Sequence, residues 1–202
     1  HGPLPGYRVS SMSCSGGEAS LIADCADSVG LEMPLLTNAS ATELASVLGP
    51  KVPLSNPLDY HTYAWGDHEK LKACFSALLR NQFGCTILVL DYPTRDAADT
   101  SNWEVAERAL TEAIAVTGER AVIVSTLPET MPAGARRRLK AAGITPMQGL
   151  DECLFAIRAA ATIGRAQREA GDTLPLLEPV AINVEIQSLD EWQSKLELSG
   201  YG

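Results

Sequence analysis

The segment Ser13-Cys14-Ser15-Gly16-Gly17-Glu18 brings together residue types that can bind an anion. Glycines after a strand let the backbone turn sharply. The N–H groups that open the next helix then face outward, with the positive end of the helix dipole behind them. Ser13, Ser15, Gly16 and Gly17 are the candidate phosphate-binding residues, the two serines adding hydroxyl donors. The competing reading is a plain tight turn in which Ser15 caps the helix and Glu18 closes a capping box. The spacing is not G-x-G-x-x-G and the Walker lysine is missing, so neither a dinucleotide nor a triphosphate is implied.

Asn56-Pro57-Leu58-Asp59-Tyr60 is a second candidate. The Asn-Pro step fixes an extended turn, and Asp59 can accept nearby backbone N–H groups, so Asn56 and Asp59 read as a supporting turn. His61 and His68 flank a Tyr63/Trp65 loop with Asp67 nearby, in a spacing that matches no established ligand pattern; no metal is expected. Cys14 precedes a helix N-terminus, which is expected to lower its pKa, but no local motif sets a histidine beside it. Cys25, Cys74, Cys85 and Cys153 read as core residues.

These residues need elements to hold them. Arg8–Cys14 reads as a serine-rich strand, and Ala19–Val29 as a helix whose Ile22, Cys25, Ala26 and Val29 share one face. Met33–Leu36 reads as a short second strand and Thr42–Leu48 as a short helix. A helix over Asp67–Arg80 puts Leu71, Cys74, Phe75, Leu78 and Leu79 on one face. Thr86–Leu90 and Ala121–Ser125 are continuous apolar runs suited to central parallel strands, the first ending at Asp91. Helices over Trp103–Val116, Ala135–Ala142 and Leu150–Arg168, and an edge strand over Ile144–Met147, complete the alternation.

Alternating strands and helices predict an α/β fold with an open, mainly parallel sheet between two helical layers. Right-handed crossovers make a flavodoxin-like three-layer α/β/α layout the expected topology, with ligands at the C-terminal strand ends. The domain is expected over 8–170, entered by a proline- and glycine-rich linker over 1–7. From 171 to 202 an extended, proline-broken arm leads to a helix opened by Ser188, with Glu191 as its capping-box partner.

The 202 residues carry a net charge of −9, which disfavours phosphate backbones and anionic membranes as partners. No apolar run approaches the roughly 20 residues of a membrane span. No secretory pattern opens the sequence, and the five cysteines are scattered, so a reducing cytoplasm is the expected setting.

The segment SCSGGEASLIADCADSVGLEMPLL, then NPLDY, then TILVLDYP, then LKAAGITPMQGLDECLFAI resembles, in order and spacing, the acid–CoA ligases that form a nucleoside diphosphate, the succinyl-CoA synthetase superfamily. The resemblance covers about residues 8 to 165. It implies the second flavodoxin-like domain of an enzyme that converts acid, CoA and ATP to acyl-CoA, ADP and phosphate. It further implies that the turn Ser15 to Glu18 helps hold a phosphohistidine supplied by another domain, with Glu18 as the catalytic residue. Asn56, Pro57 and Asp59 match the turn after the family's third strand. The end of the chain, SLDEWQSKLELSGYG, is similar to the helix that opens the family's ATP-grasp module. The implied partners are CoA-binding, phosphohistidine and ATP-grasp domains of the same protein, and a homodimer is admissible. ATP, Mg and CoA would belong to the parent protein, and this segment would bind at most phosphate or another anion. A non-catalytic flavodoxin-like module for a small ligand or a protein partner is the alternative.

Overall fold

A computed structural model describes residues 2–94 and 98–170. The expected arm and helix over 171–202, with their Ser188 capping box, lie outside the described residues.

The elements follow in the order β1 (Val9–Ser13), α1 (Gly16–Ser28), α2 (Asn38–Leu48), β2 (Leu58–Asp59), α3 (His68–Leu79), β3 (Cys85–Val89), α4 (Ser101–Thr117), β4 (Ala121–Ser125), a 3-10 turn (Pro128–Thr130), α5 (Ala133–Ala141), β5 (Thr145–Gln148) and α6 (Leu150–Ala170). The five strands are parallel in the order β2-β1-β3-β4-β5, the flavodoxin-like arrangement expected from the alternation.

Strand side chains alternate between two cores. Met12, Leu88 and Ile123 face one layer, with Leu44 of α2, Phe75 of α3, Leu110 of α4 and Leu139 of α5. Val9, Ile87 and Val124 face the other, with Ile22 of α1 and Leu154 and Ile157 of α6. A sheet buried on both sides explains the unbroken apolar runs of β3 and β4.

The polar strand β1 is buried all the same. Its Ser10 hydroxyl pairs with that of Thr86 on β3 at 2.9 Å. Its Ser13 hydroxyl donates to the Ser15 carbonyl at 2.9 Å. Burial of hydroxyls is cheap when they are bonded.

The expected strand over Met33–Leu36 does not form. The pairing with the sheet there is the parallel bridge Arg8–Glu32, in which the Val9 N–H donates to the Glu32 carbonyl at 2.8 Å. Pro34 has no N–H to offer, its carbonyl is taken by the Asn56 side chain, and Leu35 is 89% exposed. The place beside Met12 and Ser13 goes to β2 instead. Asn56-Pro57 accordingly leads into the second strand rather than following a third, and Asp59 ends that strand.

Residues 1–7, expected as a linker, lie close against the domain where they are described. Leu4 is 4% exposed and its N–H donates to the Ala160 carbonyl of α6 at 3.0 Å.

Candidate functional site

The strand order reverses between β1 and β3, and a crevice opens at the C-terminal ends of such neighbours. Here it is a cavity of about 200 Å³ lined by Cys14, Glu18, Thr62, Trp65, Asp91 and Trp103, among others. Cys14 follows β1, Asp91 follows β3, Glu18 lies on the first turn of α1, and Thr62 and Trp65 come from the loop after β2. A cleft of about 500 Å³ opens by α5, but its Arg138 is bonded to Glu107 at 2.8 Å and sits 3.7 Å from Glu104.

The turn into α1 brings Ser15, Gly16, Gly17 and Glu18 to this end of the sheet. Ser15 stands at the N-cap with an extended backbone, but its side chain makes no capping bond. The capping box of the plain-turn reading is therefore not made. The Ala19 N–H donates to the Ser15 carbonyl at 3.0 Å, while those of Gly16, Gly17 and Glu18 have no bond within the helix or from the Ser15 side chain. Gly16 and Gly17 are exposed. A Cβ on Gly16 would stand 3.3 Å from the Asp59 carboxylate, so β2 closes directly onto the turn. Ser13, expected as a donor to phosphate, is buried and commits its hydroxyl to the Ser15 carbonyl, so it shapes the turn instead.

Glu18 has a buried Oε2 with no hydrogen-bond partner among the described residues. Burial, and then the carboxylates of Asp91 and Asp59, push its carboxyl up to about 7. Close to it in charge terms is Tyr60, fully buried, whose hydroxyl also has no partner among the described residues. Burial first, and then Cys14, Cys74, Glu18 and Asp59, raise the Tyr60 phenol well above its ordinary range. Cys14 departs from expectation. Burial, and then the Glu18 carboxyl, push its thiol up to about 11, so it is a protonated thiol at neutral pH.

Asn56 and Asp59 act on neighbouring backbone. The Asn56 Oδ1 accepts from the Ser11 N–H at 3.1 Å, and its Nδ2 donates to the Val9 and Pro34 carbonyls at 2.9 and 3.0 Å. One side chain thus ties β1 to two other segments. The Asp59 Oδ1 accepts from the His61 N–H at 2.8 Å and fixes the loop that carries Thr62 and Trp65. His61 sits at a φ of 55° beside it, and His68, at the start of α3, contacts Glu69 and, on α4, Glu112.

Sequence reasoning gave no role to Asp91, Trp65 or Trp103. Asp91 accepts from the Thr126 N–H at 2.8 Å and from the hydroxyls of Thr126 and Thr130, which joins the ends of β3 and β4. The Trp103 indole donates to the Asp91 carbonyl at 2.6 Å and meets Trp65 edge to face, centroids 5.2 Å apart. The rule that ligands sit at C-terminal strand ends would have pointed to Asp91; no local pattern marks the two tryptophans.

No family model and no curated protein matches the sequence. Solved structures do share the fold. PH0766 from Pyrococcus horikoshii OT3 superposes with a TM-score of 0.65 at 23% identity, over 81% of this chain and 37% of that one. Dinucleotide forming acetyl-coenzyme A synthetase 1 from Candidatus Korarchaeum cryptofilum superposes in its apo form with a TM-score of 0.59 at 16% identity, over 82% and 36% of the two chains. The same enzyme in complex with phosphate and ADP gives 0.60 at 18%, with the same coverage. The fold is that of a domain of an acetyl-coenzyme A synthetase. It is the fold that the resemblance implied. The chain spans little more than a third of these neighbours' length.

Proposed function

We propose that this chain is one flavodoxin-like domain of an acid–CoA ligase that forms ADP, and that the N-terminus of α1 receives a phosphoryl group carried by a histidine of another domain. The observation that carries the reading is Glu18, a carboxyl with a buried, unpartnered oxygen on the first turn of a helix whose leading N–H groups its own N-cap leaves unbonded. The fold shared with an acetyl-coenzyme A synthetase supports it. So does cavity size: about 200 Å³ is below the roughly 300–1,000 Å³ of drug-sized ligand sites and suits an imidazole ring with its phosphoryl group. ATP, Mg and CoA are assigned to other domains of the parent.

In this reading the Gly16, Gly17 and Glu18 N–H groups donate to phosphoryl oxygens, with the α1 dipole behind them. They are fixed before the charge arrives, so little reorganisation is needed. With its pKa about 7, Glu18 is present in both protonation states near neutrality. Ionised, it accepts from an imidazole N–H and orients the ring. Neutral, it does not repel the phosphoryl group. Burial, and then Asp91 held by Thr126 and Thr130, keep that pKa high, and the Trp65–Trp103 pair forms one wall against water.

Gly17→Val tests the site cleanly. Gly17 has no positive φ, and a Cβ there would contact only the Ser15 hydroxyl oxygen at 3.6 Å. The fold should tolerate the side chain while the approach to the N–H groups is blocked. In the intact parent protein, histidine phosphorylation from labelled ATP should slow about a hundredfold, the scale of losing a preorganised donor. In the chain alone, inorganic phosphate should shift the Gly16 and Gly17 amide resonances. Unchanged phosphorylation in the variant, together with unmoved amides, would reduce Ser15 to Glu18 to a structural turn.

A further inference from the structure

We infer that the His61 imidazole, as a cation, is the counter-charge for the phosphoryl group at the N-terminus of α1. The inference rests on the reading of that N-terminus as a phosphoryl site. The charges create the need. Near neutrality a phosphoryl group carries up to about two negative charges, and a helix N-terminus offsets about half of one. The neighbours worsen the balance. Glu18 and Asp91 line the crevice and Asp59 borders the turn, while none of the described lining residues carries positive charge. Two polar atoms here are buried without a hydrogen-bond partner among the described residues, the Glu18 Oε2 and the Tyr60 hydroxyl. Buried polar atoms are ordinarily bonded, so such orphans mark a site that a further group completes.

His61 is placed to supply that charge, and Asp59 at the end of β2 sets its place. The Asp59 Oδ1 accepts from the His61 N–H at 2.8 Å, and the Oδ2 lies 3.5 Å from the His61 Nδ1. A Cβ on Gly16 would stand 3.3 Å from that same Oδ2. One oxygen therefore stands between the imidazole and the first residue of α1. The ring also meets Tyr63, centroids 5.7 Å apart, and the His61 side chain is 40% exposed, open to an incoming group. Histidine is the side chain whose charge ordinarily changes near neutral pH. A protonated ring has two N–H donors, so one can face Asp59 while the other serves a phosphoryl oxygen. The titratable groups around the site are Glu18 on α1, Asp59 on β2, Asp91 after β3 and the Cys14 thiol after β1.

Sulfate is the probe, a dianion throughout the range in which histidine ordinarily titrates. Added to the full chain, it should shift the Gly16 and Gly17 amide resonances. Glu18 titrates at about 7, so the affinities are compared in the Glu18→Gln chain, where that charge is constant. There, sulfate binding should still weaken roughly tenfold from about pH 6 to about pH 8.5, the scale of one charge-assisted hydrogen bond. Adding His61→Asn should abolish this dependence, with a roughly tenfold loss at about pH 6 and none at about pH 8.5; asparagine tolerates the left-handed backbone that His61 holds at a φ of 55°. A second readout needs no substitution. Saturating sulfate should raise the titration midpoint of the His61 ring by about one pH unit in nitrogen-resolved spectra, since the coupling is reciprocal. His68, bound to Glu69 and Glu112, should not move. Amides that respond to sulfate while the His61 midpoint stays fixed, or while His61→Asn binds sulfate as tightly at the acid end, overturn the role of His61 and leave the α1 site standing. Amides that sulfate does not move overturn both.

Discussion

A carboxyl whose pKa is raised by its surroundings is more stable neutral than charged in the folded state. For Glu18 the rise is from 4.5 to about 7, caused first by burial and then by Asp91 and Asp59. The folded chain thus holds more protons than the unfolded chain between those values, and stability falls as pH rises through that window. The contribution is fully present below about pH 4.5 and lost above about pH 7. The full shift would correspond to about 3 kcal/mol; because the side chain keeps considerable contact with solvent, about 1 kcal/mol is expected. Glu18→Gln should therefore stabilise the chain by that amount at pH 8 and flatten the slope between pH 5 and 7, as urea unfolding at each pH would show. A slope that survives the substitution would place the titrating group elsewhere. Cys14 gives a companion expectation. With its thiol at about 11, it should react with iodoacetamide far more slowly at pH 8 than an unstructured thiol, and thiolate-level reactivity there would contradict the burial account. The sequence located both residues but could not weigh their surroundings. A helix N-terminus beside Cys14 was visible; the burial that raises its thiol is set by the packing of the site and is not.

Helices and central strands were readable because their periodicity is local. Leu71, Cys74, Phe75, Leu78 and Leu79 line one side of α3 as their spacing demanded, and Gly118 ends α4 at a φ of 71°. The edge of the sheet was not readable. A two-residue strand such as β2 has no period, and the apolar Met33–Leu36 competes for the same place. What decides is long-range: Asn56 spends its side chain on Ser11, Val9 and Pro34, and so delivers Leu58 to Met12. The entering segment poses the same problem. Gly164, inside α6, looks like a helix weakness, and alanine there would normally gain about 1 kcal/mol. Yet a Cβ at Gly164 would stand 2.0 Å from the Leu4 carbonyl oxygen. Gly164→Ala should therefore destabilise by about 1–3 kcal/mol, since either the segment lifts and exposes Leu4 or α6 shifts. Denaturant midpoints would check this, and a stabilised variant would show that the Leu4 contact contributes nothing.

At the scale of the molecule, the proposed function makes the chain one half of a phosphoryl-handling site that other domains must complete. Acid, CoA and ATP must be bound together for acyl-CoA to form, and the crevice at the β1–β3 switch holds about 200 Å³. The match takes in little more than a third of each of the neighbours that share this fold. The fold was read twice, from the alternation of apolar patterns and from the resemblance of four segments, and it is present. Of the candidate residues, Ser15, Gly16, Gly17, Glu18 and Asp59 lie at one end of the sheet with Asp91, Trp65 and Trp103, of which no segment contained the two tryptophans, while Asn56 reaches back to Val9 and Pro34. The purified chain of 202 residues, incubated with ATP, Mg, CoA and a panel of short-chain and aromatic acids, should form no acyl-CoA above a protein-free blank. Addition of the remaining domains of the parent as a separate polypeptide should restore turnover, and restoration should fail with Gly17→Val, because catalysis then depends on donors that only α1 supplies. Acyl-CoA made by the chain alone would mean that it is a complete enzyme of another design.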